Sequence, residues 1–391
     1  MQRSFRNSLI IILFFTPLFK GFSQDFKYVN ELTENLYLEN KWDELIIVGD
    51  SIIKTKLDFY ALRLRVGLAY YYKNEYLLAT PHFLKAIEMN NAENIAVEYL
   101  YYSYLKSEQY LQALNIMNNQ NEYVKQTVGF NSKKIIQSTQ IREGIKLSNS
   151  EYIPTVYETD IDVDFKFLRS NNLKLSLNQI SQKNNIWAIK QLQFYTAISI
   201  PLKNNWNFHS GFSSLKYDYS VFSFNSTNIT KGNQWVVSVE MYKYYLKNQF
   251  NFGFVTFFGN NVNHNQFTFG YTYFPKANSK LYFGMNYFAS THNGFVNLTS
   301  AFKPFFGYKL TSKIGLSSSI LKGGGHNLVT YNGEIVNNNY NITSHLYEIG
   351  LYYRWHPKWQ TSVYYNLELK QNENINNYQY NALFINLKFI P

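Results

Sequence analysis

Three aspartates spaced by two, Asp160, Asp162 and Asp164, form the sharpest cluster of charge in this 391-residue chain, and Lys166 continues the spacing. Residues two apart on a β-strand share a face and stand about 6.6 Å from one another. Such a row can hold a cation, repel anions, or be neutralised by facing lysines, and Lys174 and Lys146 are the candidates for that last role. In a second segment Glu348 and Arg354 occupy equivalent inward positions. The seven histidines (His82, His209, His264, His292, His326, His345 and His356) show no His-Glu-x-x-His spacing. With no cysteine, thiolate metal sites and disulfides are excluded. The run Gly323-Gly324-Gly325-His326 is no phosphate loop, because no Gly-Lys-Ser/Thr follows and no helix starts there. A Ser-His-Asp site is defined in space rather than by spacing. Nothing therefore nominates a catalyst, a metal or a cofactor, and the chain reads as a non-enzyme.

These charges sit in segments that alternate with period two. In 159–167, Ile161, Val163, Phe165 and Phe167 share one face, and the three aspartates with Lys166 share the other. Leu173, Leu175 and Leu177 oppose Lys174, Ser176 and Asn178. Tyr347, Ile349, Leu351, Tyr353 and Trp355 oppose Glu348, Gly350, Tyr352 and Arg354. Strands of roughly 10 residues follow one another through 131–391. Tight polar turns are expected at 169–172, 202–205, 246–249, 276–279, 311–313 and 356–359. Longer Asn-rich loops fall between them, the largest expected at 217–232 and 322–341. Short turns on one rim and long loops on the other describe an antiparallel transmembrane β-barrel of the outer-membrane type. The count is 14 strands, or 12 if the first is a last helix, and either even number returns both ends to one rim. Pro201, Pro275 and Pro357 fall beside turns, whereas Pro304 lies inside a strand and implies an irregularity there.

Composition agrees. Aromatics make up 19% of the chain, with 35 Tyr and 32 Phe, as aromatic girdles at two membrane interfaces would require. Past residue 20 no apolar run approaches the roughly 18 residues of a spanning helix. Residues 1–23 read as a secretory signal: Arg3 and Arg6, an 11-residue apolar stretch from Leu9 to Phe19, then small residues before Gln24. Residues 24–130 are acidic and 131–391 are basic within a net charge of +11. The basic residues sit at turns and loops of an exported barrel, so lipid headgroups or surface glycan phosphates are the expected neighbours, and nucleic acid is not.

Within 24–130 the period becomes helical. Trp42, Tyr76 and Tyr110 lie 34 residues apart, each at the start of a second helix. The middle unit, with Gly67, Tyr70, Ala79, Phe83 and Ala86, resembles the tetratricopeptide repeat, and the outer two units are degenerate. That resemblance implies a concave helix surface, lined here by Leu64, Leu68, Tyr71, Tyr102 and Leu105, for a periplasmic protein partner; the same residues would otherwise pack against neighbouring helices.

The whole layout, an all-α repeat followed by a barrel, resembles the families in which tetratricopeptide repeats precede an outer-membrane barrel. These include the polysaccharide-export porins and the smaller YaiO-like proteins, and the size favours the smaller group. The terminal Phe389-Ile390-Pro391 resembles the aromatic-ended last strand that outer-membrane assembly machinery reads. The resemblance implies a pore or export conduit for a surface polymer in the cell outer membrane, its repeats in the periplasm. A non-conducting scaffold, its barrel plugged by inward side chains such as Tyr352 and Tyr364 or by the repeats, is the second reading, and a barrel enzyme on lipid or glycan the third.

Overall fold

The computed structural model describes residues 25–168, 170–223, 226–259, 262–292, 297–323, 329–330, 335–336, 342–371 and 377–391. The signal expected at 1–23 lies outside them, as does His326. Two compact units divide the chain, the first ending at Gln109 and the second running Tyr110–Pro391.

The first unit holds α1 (25–38), α2 (Trp42–Lys54), α3 (Tyr60–Tyr72), α4 (Tyr76–Met89) and α5 (Asn94–Lys106). Consecutive helices pack as antiparallel neighbours because the turns are short. The α1–α2 turn, the α3–α4 turn and the turn after α5 each carry one residue in the left-handed region, Asn40, Asn74 and Glu108. Leu45, Leu62, Val66, Ala69, Phe83, Ala86 and Leu100 form the core. Gly67 makes room for a ring: a Cβ there would stand 2.7 Å from Phe83 Cε1. Gly67→Val is expected to destabilise this unit by about 1–3 kcal/mol through overpacking, read as faster amide exchange in α3 and α4 with the barrel unchanged.

The second unit opens with α6 (Tyr110–Asn118) and α7 (Glu122–Thr127). Its strands are β1 (Ile136–Ser148), β2 (Val156–Phe167), β3 (Asn171–Lys183), β4 (Trp187–Pro201), β5 (Trp206–Ser223), β6 (Ser226–Tyr245), β7 (Asn248–Gly259), β8 (Val262–Tyr273), β9 (Leu281–His292), β10 (Asn297–Lys309), β11 (Ile314–Gly323), β12 (Val329–Thr330), β13 (Ile335–Val336), β14 (Ile342–His356), β15 (Trp359–Gln371) and β16 (Tyr378–Phe389). All but β12 and β13, which pair with each other, form one closed antiparallel barrel of 14 strands. β1 closes it against β16 through Ile141↔Leu387 and Ile145↔Leu383. The segment that could have been a last helix is thus a strand.

Alternation sets the faces. Outward, Phe250, Phe252 and Phe254 pair with Tyr271, Phe269 and Phe267, ring centroids 5.4, 5.7 and 5.1 Å apart. Trp359 lies between Trp355 and Phe389 on the turn rim, at 5.9 and 4.7 Å. An outer surface this apolar and aromatic suits lipid, not water. Glu143 departs from the pattern: it faces outward in β1, between Ile141 and Ile145, and accepts a 2.8 Å hydrogen bond from Thr159.

Two expectations about irregular segments fare differently. Pro304 faces outward; its pairing with Met285 of β9 is kept, but pairing to β11 skips from Phe302↔Lys322 to Phe305↔Ser319, where proline has no N–H to give. The loop expected at 217–232 is instead strand: β5 and β6 run 18 and 20 residues and stay paired to Ser223↔Ser226. Alternating Tyr217, Tyr219 and Val221 outweigh the Asn and Thr content that suggested a loop.

Candidate functional site: the barrel lumen

The inner wall of β1, β2 and β3 carries the aspartate row, and the charges are paired. Arg142 Nη2 bonds Asp160 and lies 2.9 Å from Glu158 Oε1. Lys146 Nζ is 3.6 Å from Glu158 Oε2, and Lys174 Nζ is 3.7 Å from Asp162 Oδ2. Amides and a hydroxyl complete the set: Gln140 Nε2 donates to Asp162 Oδ2 at 2.7 Å, Ser138 Oγ to Asp164 Oδ2 at 2.6 Å, and Asn178 Nδ2 to Asp160. Asp160 and Asp162 are thus ion-paired, by Arg142 and Lys174, while Asp164 accepts from the Ser138 hydroxyl and from Asn172 Nδ2 at 3.3 Å. Among the described residues no group of three or more His, Asp or Glu is placed to hold a metal. Lys166 turns away from the row, donating to Asn118 Oδ1 at 2.9 Å and to the Ser132 carbonyl at 3.2 Å.

Across the lumen Glu348 takes Lys303 Nζ and Ser319 Oγ, each at 2.5 Å. Arg354 does not join it and reaches toward Gln360 Oε1 at 3.5 Å. A further pair is fully enclosed: Lys370 Nζ lies 2.7 Å from both Glu368 Oε1 and Thr343 Oγ1, and Thr343 Oγ1 donates to Glu368 Oε1 at 2.7 Å. The signal for it is plain in Leu367-Glu368-Leu369-Lys370, which alternates as the aspartate row does.

Solvent access divides the lumen. Toward the long-loop rim the inner wall is buried around the circumference: Glu158, Gln191, Leu215, Val236, Phe257, Gln266, Phe288, Ala301, Leu321, Lys370 and Tyr380. Half of this layer is apolar, with Leu215, Val236, Val255 and Phe257 in one cluster and Phe288, Ala301 and Leu321 in another. Toward the turn rim most inward side chains, such as Gln140, Lys174, His209, Asn251, Ser317 and Asn366, are partly open.

Bulky inward rings do not fill that turn-side half. Gly315 faces Tyr352, Gly350 faces Tyr364, Gly307 faces Tyr282 and Gly144 faces Phe384 as direct cross-strand partners. In each pair a Cβ on the glycine would stand 2.1–2.6 Å from the ring, so the ring lies flat on the wall over the bare backbone. Tyr352 and Tyr364 thus lie along the lumen wall. Gly350→Val should lift Tyr364 into the lumen and cost about 1–3 kcal/mol; a lower unfolding temperature together with a narrower lumen checks both halves.

The remaining candidates have structural explanations. His209 is satisfied on both ring nitrogens, by Tyr195 OH at 3.0 Å and Ser199 Oγ at 2.9 Å. In the helical unit Leu68 is buried in the interhelical core. Leu64, Tyr71, Tyr102 and Leu105 are half-buried, and Tyr71 packs edge-on against Tyr99 at 4.9 Å.

No family model matches the chain, and no curated protein matches it. Among solved structures, the CymD monoaromatic hydrocarbon channel is similar with a TM-score of 0.44 and 5% identity over 73% of this chain and 97% of that one. A Pseudomonas aeruginosa FadL homologue gives 0.42 and 8% over 71% and 94%. The Acinetobacter baumannii outer membrane protein Omp33 gives 0.38 and 10% over 66% and 100%.

Proposed function

We propose that the chain is an outer-membrane channel, held shut in this conformation by the buried layer near its loop rim. One observation carries the reading: the inner wall is built for water. Asp162 Oδ1, Asn178 Oδ1 and Asn386 Oδ1 are buried and accept no hydrogen bond from the chain, and the buried Gln191 Nε2 donates none to it. Buried polar atoms of this kind are paired with water where protein does not serve. A wall of paired charges, amides and flat-lying tyrosines suits a hydrated solute, and a polymer would need the layer displaced along its whole section.

Orientation follows from the rims. Short turns face the periplasm in outer-membrane barrels, and both Ile136 and Phe389 end on that rim. The helical unit then lies in the periplasm, where a protein partner can reach its half-buried tyrosines, and the β16 terminus presents Leu383, Ile385, Leu387 and Phe389 to assembly machinery.

A second reading, a non-conducting scaffold, is favoured by the same buried layer. Bilayer recordings on the full protein separate the two when Phe257→Ala/Leu321→Ala is measured beside the native chain. Brief or rare openings that lengthen in the variant support the channel. Silence from both, with heat-shifted gel mobility showing folded barrels, leaves the scaffold.

A further inference from the structure

The helix α6 answers to two patterns at once. By sequence it belongs to the repeats, since Tyr110 is the third member of the 34-residue series and Ala113 matches Ala79. By packing it belongs to the barrel unit, which begins at Tyr110, and it rests against β3 and β4. Its anchors are specific. Gln112, itself buried, donates from Nε2 to the Trp206 carbonyl and to Asn207 Oδ1, both at 3.1 Å. Six residues on, Asn118 Oδ1 receives Lys166 Nζ at 2.9 Å.

Asn207 and Lys166 are inward-facing residues at the turn rim of β5 and β2. Those strands lie three steps apart around the barrel, or about 14 Å at the usual strand spacing. Gln112 and Asn118 stand six residues apart on this helix, about 9 Å along its axis. The side chains of Gln112, Asn118, Asn207 and Lys166 cover the rest, so α6 is tied near both ends to side chains of the inner wall across that sector. Phe130 lies under the Lys166 ammonium at 5.3 Å and fixes the chain's exit from the strap toward β1.

We propose that α6 is a strap over the β2–β5 sector of the turn-side mouth, and that the mouth widens when α6 leaves Asn207 and Lys166. The helical unit precedes it by a single peptide bond, between Gln109 and Tyr110, so a partner that pulls on that unit would pull on the strap. The inference rests on the channel reading for its purpose, but not for its geometry.

The absence of native cysteine makes the test clean. In full-length Gln112→Cys/Asn207→Cys, oxidation should cut conductance by tenfold or more relative to the same protein reduced, and reductant should restore it. Equal conductance in both states would overturn the strap. If the native protein never conducts, the channel reading falls, and the strap is judged separately by access. Ser317→Cys, on the partly open wall of β11, is labelled with a bulky maleimide in the native background and in Gln112→Ala/Lys166→Met. At least fivefold faster labelling in the released background supports the strap. An unchanged rate, with both proteins folded by gel mobility, rejects it.

Discussion

Lys370→Met should be among the most damaging single substitutions in the barrel, costing about 3–5 kcal/mol. The side chain is 1% exposed, and its ammonium is the near partner of Glu368, which is 5% exposed. Removing it leaves a carboxylate enclosed by Thr343 and the apolar layer with only the more distant Lys146 to offset it, and a poorly paired buried charge is far more costly there than in water. The converse is as informative. Glu368→Leu with Lys370→Met replaces the pair by apolar side chains of similar volume and should recover most of the loss, because a buried pair contributes little beyond its own desolvation. The measurement is a double-mutant cycle on the unfolding of the detergent-solubilised barrel. A Lys370→Met protein as stable as the native one would show that water, not Lys370, neutralises Glu368, and that the layer is wetter than its burial implies.

How much of this was legible beforehand depends on the range of the interaction. Alternation is local, so the inward placement of Asp160, Lys174, Glu348 and Arg354 could be read from neighbours two residues away. The strand count followed from turns such as Pro357-Lys358, again a local signal. Pairing is not local. That Arg142 would meet Asp160, or that Gly350 would lie opposite Tyr364, depends on register, and a one-residue slip would have turned every such residue to lipid. The same blindness made Tyr364 read as a plug, when its ring lies over a glycine 14 positions earlier. The stretch 217–232 misled for a different reason: its Asn and Thr content suits a loop, but a hairpin whose two arms pair continuously supplies each other's hydrogen bonds and overrides composition. Helix α6 shows a third limit. A repeat spacing assigns a helix to its series but is silent on which neighbours bury it, so nothing local marked Gln112 as an anchor on the barrel rim.

Acid should loosen the helical unit while leaving the barrel intact. His82 of α4 is buried, its Nε2 3.5 Å from Asp50 Oδ1 and its Nδ1 3.4 Å from Arg63 Nη1. Arg63 is itself held by Asp58 at 2.7 Å, and Asp50 receives the Tyr70 hydroxyl at 2.6 Å. Burial is the dominant cause that takes His82 from 6.5 down to about 4; Arg63 adds to it, while Asp50 and Asp58 oppose it. The folded value lies below the unfolded one, so the native state favours neutral imidazole. The associated stability is complete above about pH 6.5 and is lost as pH falls toward 4. A displacement of that size corresponds to about 3 kcal/mol, a large share of what a small helical unit possesses. Amide exchange in α3 and α4 should therefore quicken by roughly a hundredfold between pH 7 and pH 4.5 after correction for intrinsic rates, a factor equivalent to about 2.7 kcal/mol. His82→Gln should flatten that dependence even if it lowers stability at pH 7. If the native protein showed no extra opening at pH 4.5, or if His82→Gln kept the full acid response, the imidazole would not be the group that couples this unit to pH.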